Sequence, residues 1–230
     1  MDGNLEVALA VGAFAGSHLL MSHPLRAPMV KALREIGFRL VYVLVSFACL
    51  WWISRAYRAA PVEAPLWDVG DALWGLATLI MLIASVLLMG SLIGNPALPA
   101  PNLKLPERAK GVYAITRHPM LWSFALWAIA HILVYPVTAN LIVAGGIGLF
   151  ALVGAAGLDA KKSALQPELW TAWKAMTSFM PFQAIAEGRA RFGGFRPHDL
   201  AGGVVIWLAA TWAHIPAAGI AAGVWRWLGF

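Results

Sequence analysis

Six apolar runs of helical length, separated by charged or proline-containing segments, constrain this chain more than any other feature. A bilayer core of about 30 Å requires about 20 apolar residues per helix, and it does not tolerate irregular backbone exposed to lipid. With 60% apolar and 12% charged residues, the composition is that of a membrane protein. The sequence predicts an all-α, polytopic membrane helix bundle in which residues 1–230 form one domain. The predicted transmembrane helices are residues 5–21, 38–54, 72–94, 119–135, 138–158 and 201–218.

The distribution of Lys and Arg predicts how these helices are oriented. Short cytoplasmic loops retain such residues, and 14 of the 17, including Lys104, lie in the segments after the first, third and fifth runs. We therefore expect both termini outside and three basic loops in the cytoplasm. The formal net charge of +6 then follows from topology and from attraction to anionic lipid head groups, and it requires no nucleic-acid partner.

Two of the predicted cytoplasmic segments are long enough to carry function. Residues 94–119 contain five prolines, which predicts an extended, stiff lid or connection. Residues 159–200 contain a predicted amphipathic helix, which either lies along the inner membrane surface or packs against the bundle. Its apolar residues recur at helical spacing at Leu169, Trp170, Trp173 and Met176.

Three histidines, His18, His131 and His214, fall within predicted transmembrane helices. Ionisable groups at membrane depth usually face a bundle interior and mark a functional site, although one histidine alone can serve as an interhelical hydrogen-bonding residue. Neutral imidazole is also the usual protein ligand to haem iron. At a rise of about 1.5 Å per residue, His131 lies about 20 Å beyond His118. This estimate predicts an outer layer of His131 with His214 and an inner layer of His18 with His118.

The Arg117–His118 turn precedes Pro119 at the predicted start of the fourth transmembrane helix. Free backbone N–H groups and the positive end of the helix dipole meet Arg117 there, which predicts an anion site. A haem propionate, a lipid phosphate or the carboxylate of a methyl-donor cofactor would each suit this site. Alternatively, the turn only anchors the helix at the lipid head groups.

Four blocks of the sequence resemble the NnrU family of bacterial inner-membrane proteins: "SHLLMSHPLRAPMVKALREIGFRLVY", "LWDVGDALW", "GVYAITRHPMLWSFALWAIAHIL" and "TSFMPFQAIAEGR". The same blocks are similar to the plastid 15-cis-zeta-carotene isomerases. The resemblance implies a six-helix bundle in the bacterial inner membrane and an association with denitrification and nitric oxide metabolism. From the isomerase branch it also implies haem b, with iron ligands that match His18 and His131.

A more distant similarity links "GVYAITRHPM" to the isoprenylcysteine and phospholipid methyltransferases, whose matching histidine belongs to the S-adenosylmethionine site. This chain departs from that pattern at Leu121 and Ser123. It also has "DAKKS" at residues 159–163, where those enzymes carry an acidic pair. Methyl transfer is therefore an alternative and not the leading hypothesis.

The leading hypothesis is a haem-b protein in which His131 and either His18 or His214 bind the iron, while Arg117 and His118 receive the propionates. Its chemistry would be redox-dependent isomerisation of a hydrophobic polyene, reduction, or nitric oxide sensing. The expected partners are membrane lipid, a hydrophobic small molecule or nitric oxide, and other membrane proteins. The alternatives are an S-adenosylmethionine-dependent methyltransferase and a non-enzymatic accessory protein of a denitrification complex.

Overall fold

The computed structural model describes residues 2–98 and 105–229, and in these ranges the secondary structure is entirely helical. Within them, nine α-helices are followed by a 3-10 helix. The helices are α1 Gly3–Ser22, α2 Arg26–Ala59, α3 Asp71–Ser91, α4 Val112–Ile115, α5 Pro119–Val134, α6 Thr138–Leu165, α7 Pro167–Ala175, α8 Gln183–Ala186, α9 Pro197–Ala218 and the 3-10 helix Gly223–Arg226.

Each of the six predicted transmembrane segments forms a helix. Five of these helices, α1, α2, α3, α6 and α9, are long and apolar enough to cross a membrane, and α5 is a shorter apolar helix of 16 residues. Pro119 suits the first position of α5, where the missing N–H has no intrahelical partner, and Pro136 follows the last turn. The prediction of a polytopic helical membrane protein is confirmed.

The transmembrane helices pack as a series of neighbours in the order α2, α1, α6, α5, α3, α9. At one end of the bundle, which we call the terminal end, the carboxylate of Glu63 accepts hydrogen bonds from Asn4 Nδ2 at 2.6 Å and from the Thr138 N–H at 3.2 Å. Arg226 Nη2 donates to Asp71 Oδ1 at 3.1 Å at the same end. The described ends of the chain therefore lie on one side, as an even number of crossings requires.

The opposite end, which we call the basic end, is shaped by a break in α2. Arg34 has a φ of 60° and a ψ of 171°, so the helix is interrupted there and a short N-terminal piece begins at Arg26. The sequence predicted a transmembrane helix only from residue 38. The break brings Arg26 Nη2 to 3.1 Å from Glu35 Oε1, and that carboxylate oxygen also accepts a hydrogen bond from Arg39 Nε at 3.3 Å.

The segments after α3 and α6 form a packed core at the basic end. Trp170 and Trp173 of α7 are 0% and 1% exposed, and the Trp173 ring centroid lies 5.6 Å from that of Tyr113 in α4. Of the two interpretations of the tryptophan repeat, packing against the bundle is the one that the structure shows. The prediction of an extended lid is wrong for residues 112–115, which form the buried helix α4, whereas Lys104 lies outside the described residues.

Candidate functional site

A cavity of about 350 Å³ lies near the terminal end between α3, α5 and α9, and we call it the imidazole cavity. Its walls are mostly apolar, and the segment after α9 contributes Ile220 and Gly223. Such a volume falls within the range of about 300–1,000 Å³ that is typical of small-molecule and cofactor sites. The polar residues that line it include Tyr57, Thr78, His131, Asn140, Thr211 and His214.

His131 and His214 face this cavity together, with ring centroids 6.1 Å apart and ring planes inclined by 35°. His131 Nδ1 donates to the Trp127 carbonyl at 2.8 Å, and His214 Nδ1 donates to the Ala210 carbonyl at 2.7 Å. Because a carbonyl oxygen only accepts, each Nδ1 carries the proton, and the lone pair of the neutral ring is on Nε2. The Trp127 ring lies 4.2 Å from the His131 ring and limits its rotation.

The Nε2 atoms of this histidine pair receive no hydrogen bond from any residue that the structure describes. A ring whose Nδ1–H is held by a backbone carbonyl and whose Nε2 is free has the arrangement typical of metal-ligating histidines. Two imidazoles on opposite sides of one ion, with metal–nitrogen bonds of about 2.0 Å, have ring centroids about 6 Å apart. The observed separation is compatible with that arrangement.

Two further polar groups in the cavity were missed by the sequence argument. Thr78 Oγ1 is buried and has no hydrogen-bond partner among residues 2–98 and 105–229. Asn140 Nδ2 donates to the carbonyls of His131, at 3.0 Å, and Tyr135, at 2.7 Å, and so ties the end of α5 to α6. Both are polar residues in otherwise apolar runs, and that signal could have selected them.

His18 lies in a different place, between α1, α2 and α6. Its Nδ1 donates to the Phe14 carbonyl at 2.7 Å, and its Nε2 lies 2.9 Å from Ser46 Oγ, a hydroxyl that is also 2.7 Å from the Tyr42 carbonyl. Aromatic rings surround it, with centroids at 4.2 Å for Phe14, 4.9 Å for Tyr42 and 5.6 Å for Phe150. The structure therefore does not bring His18 to His131, the pair that the family resemblance implies.

Arg117 and His118 line a second cavity at the basic end and are bound to a carboxylate of the chain itself. Asp159 accepts from Arg117 Nε at 2.9 Å, from His118 Nε2 at 2.8 Å and from Trp170 Nε1 at 3.1 Å. The Arg117, Asp159 and His118 side chains are only 11%, 13% and 1% exposed. The predicted anion site thus holds Asp159, which sequence reasoning did not connect to the turn because it lies 41 residues further along the chain.

These positions separate two sets of predicted site residues. His131 and His214 line the imidazole cavity, whereas Arg117 and His118 line the cavity at the other end of α5. The structure therefore does not place His131 and the Arg117–His118 turn at one cofactor, with His131 at the iron and the turn at the propionates. Among the described residues, no group of three or more His, Cys, Asp or Glu is arranged to hold a metal ion.

Comparisons with known proteins give the chain a family. The sequence profile described as "NnrU protein" matches residues 6–222. The chloroplastic 15-cis-zeta-carotene isomerase of Zea mays is 33% identical over 103 residues, a match that spans 44% of this chain but only 27% of that relative. No solved structure matches. Because the profile covers almost the whole sequence, this multi-pass helical membrane protein belongs to the NnrU family.

Proposed function

We propose that this protein binds haem b in the imidazole cavity through His131 and His214, and that it is an isomerase-type protein of the bacterial inner membrane that acts on a hydrophobic polyene. The observation that carries the proposal is the histidine pair itself. Both rings are fixed through Nδ1, both have an Nε2 with no hydrogen-bond partner among the described residues, and both face one apolar cavity. The name of the maize relative supplies the class of reaction and substrate.

The donor set fits haem better than a metal ion held by protein ligands alone. A structural zinc site needs four protein ligands and a catalytic one usually needs three, and the described residues provide no such group. Haem iron takes only one or two axial ligands from the protein, and histidine is the commonest of them. When bound, haem would supply an iron with two redox states, which could accept nitric oxide or a double bond in place of one of the two histidines.

The residues around the pair would orient the cofactor and exclude water. The Trp127 and Ala210 carbonyls set the tautomer and direction of the two rings. Trp225 Nε1 donates to Thr211 Oγ1 at 3.1 Å, which fixes the C-terminal segment that contributes Ile220 and Gly223 to the cavity wall. Thr78 Oγ1 and the Asn140 carbonyl oxygen are polar groups that a ligand in the cavity could engage.

The apolar character of the site suits a lipid-soluble substrate. The cavity lies in a helical bundle whose surroundings are hydrocarbon, so a polyene dissolved in the membrane pays little desolvation cost to enter. The link to nitric oxide metabolism, which the family resemblance implies, would use the same iron. Polyene isomerisation and the link to nitric oxide metabolism both depend on haem binding by the same two histidines.

Optical spectra of the detergent-purified protein test this proposal. We expect a Soret band after haem is added, a shift of that band on reduction with dithionite, and loss of the band in His131→Ala and in His214→Ala. His18→Ala is the matched control, since it removes an imidazole whose Nε2 already has a protein partner. Loss of the band in His18→Ala with retention in His214→Ala would instead support the pair implied by the resemblance.

A protein that stays colourless in the presence of haem would overturn the proposal. The accessory role in a denitrification complex would then be favoured, because it requires no chromophore. Methyl transfer is less well supported by the geometry, since Asp159 is already bound to Arg117 and His118. Saturable binding of S-adenosylmethionine by the colourless protein would restore that alternative.

A further inference from the structure

The second cavity, at the basic end, has a composition that the proposed function does not use. It has a volume of about 730 Å³ and lies between the ends of α1, α2, α5 and α6. We call it the basic cavity because five cationic side chains line it. They are Arg26, Arg39, Arg117, Lys161 and Lys162.

The carboxylates near this cavity do not balance those cations. Arg117 is paired with Asp159, and Arg26 and Arg39 share Glu35. The five cations therefore meet two carboxylates among the described residues, which leaves a formal excess of three positive charges.

The two lysines contribute most of this excess. Lys162 Nζ donates only to neutral oxygens, the Pro96 carbonyl at 3.2 Å and Gln166 Oε1 at 3.4 Å. Lys161 makes no hydrogen bond to the described part of the chain; Arg26 and Lys162 repel it, and Glu35, which Arg26 and Arg39 already share, attracts it. Like charges held together in a half-buried space favour binding of an anion.

Most of the other residues that line the basic cavity are apolar. Phe38, Leu121, Leu158 and Leu165 line it together with the cations. An adjoining cavity of about 200 Å³ shares several of these lining residues and continues towards His18 and Phe150. The residues that line both cavities are Ser22, Tyr42, Leu121, Leu158 and Lys161.

We propose that the basic cavity binds the phosphate of an anionic lipid, with the lipid chain directed into the adjoining cavity towards Phe150. Arginine and lysine together suit a phosphate, which accepts several charge-assisted hydrogen bonds. Basic pockets between transmembrane helices on the cytoplasmic side bind the head groups of anionic lipids. The excess charge provides the contacts to the head group, and the adjoining cavity provides space for the first part of the chain.

Gly154 offers a way to test the position of the lipid chain independently of the cationic side chains. It lines the adjoining cavity, and a Cβ added there meets no atom within 4 Å. A leucine at this position would fill part of the space without removing a charge, and leucine is a better helix former than glycine. We therefore expect Gly154→Leu to fold and to block the proposed path of the lipid chain.

Thermal-shift titrations of the purified full chain test the head group. We expect dioctanoyl phosphatidylglycerol to raise the midpoint and dioctanoyl phosphatidylcholine to leave it unchanged, since only the former carries net charge. Each charge removed should weaken binding of phosphatidylglycerol about fivefold. We therefore expect Lys161→Gln to bind this lipid about fivefold more weakly than the wild type, and the double variant Lys161→Gln, Lys162→Gln about 25-fold more weakly. Arg58→Gln is the matched control, because Arg58 lies in the last turn of α2, at the terminal end, and donates to Ser54.

The source of the phosphate is distinguished by a third ligand. Inorganic phosphate should bind more weakly than phosphatidylglycerol, and Gly154→Leu should weaken only the lipid. Equal binding of inorganic phosphate and lipid would overturn the lipid assignment and favour a soluble phosphate. Equal binding of the two lipids, or unchanged binding in Lys161→Gln, would overturn the site. No outcome depends on haem, since the imidazole cavity lies at the other end of the bundle.

Discussion

The two ends of α5 carry histidines whose environments differ in one respect. His118 is 3% exposed and its Nε2 is bound to Asp159 at 2.8 Å, whereas the Nε2 of His131 faces a cavity and has no described partner. His18, on α1, resembles His118 in this respect, because Ser46 binds its Nε2. The comparison teaches that the partner of the second ring nitrogen, and not depth in the membrane, separates a structural histidine from a candidate ligand.

The largest loss of stability is expected at the basic end, where His118 is hydrogen-bonded to Asp159. Asp159→Ala leaves the 11% exposed Arg117 without its carboxylate, and an uncompensated buried charge costs about 3–5 kcal/mol. The midpoint of thermal unfolding in detergent measures this cost, and the exposed Glu107 provides the control variant Glu107→Ala. If both variants unfold at the same temperature, the Asp159 cluster does not stabilise the fold.

The next effect compares the two histidines of α5 directly. His118→Ala removes a hydrogen bond to a charged group, which contributes about 1.5–3 kcal/mol, whereas His131→Ala removes one to a carbonyl, which contributes about 1 kcal/mol. In the haem-free protein we therefore expect the lower unfolding midpoint for His118→Ala. An equal or larger loss in His131→Ala would show that His131 is structural and would break the comparison.

Ser46→Ala sharpens the assignment of His18. It removes the hydroxyl that binds Nε2 of His18, at a cost of about 1 kcal/mol, and leaves the ring in place. With His131 and His214 as ligands, the absorption spectrum of the haem-loaded protein should not change. Ser54→Ala, on the same helix, is the control. A spectral change confined to Ser46→Ala would indicate that His18 binds the iron.

The smallest effect is a dependence on pH at the terminal end. Hydrogen bonds from Thr138 and Asn4 hold the pKa of Glu63 below its ordinary value of 4.5. A lowered pKa contributes stability that is complete above pH 4.5 and is lost as the pH falls through the folded value. We expect Glu63→Gln to be less sensitive to pH than the wild type between pH 5 and pH 3. Parallel unfolding midpoints over this range would contradict the assignment.

The fold was largely predictable because lipid imposes a strict rule on length and polarity. Six apolar runs of about 20 residues have one acceptable structure in a bilayer, and their helices occur where the sequence placed them. The break at Arg34 was not predictable, since no glycine or proline occupies that position. The burial of Trp170 was left open, because a helix facing lipid and a helix facing protein show the same apolar periodicity.

The candidate site was predictable only where the depth of a residue along its helix was sufficient information. A rise of about 1.5 Å per residue predicted a layer with His131 and His214, and their rings lie 6.1 Å apart. The pairing of His118 with Asp159 requires the lateral arrangement of α5 and α6, which no single-helix periodicity contains. His18 and His118, predicted as one inner layer, line two cavities that adjoin one another.

The linear order of the transmembrane helices affects how a lipid-soluble molecule reaches the imidazole cavity. In the described ranges the series begins with α2 and ends with α9, and α9, at one edge of the series, carries His214 of the imidazole cavity. A molecule dissolved in the bilayer can approach such an edge sideways, without crossing an aqueous vestibule. The membrane would then serve this protein as both reservoir and route, and the concentration of substrate that matters would be its concentration in lipid.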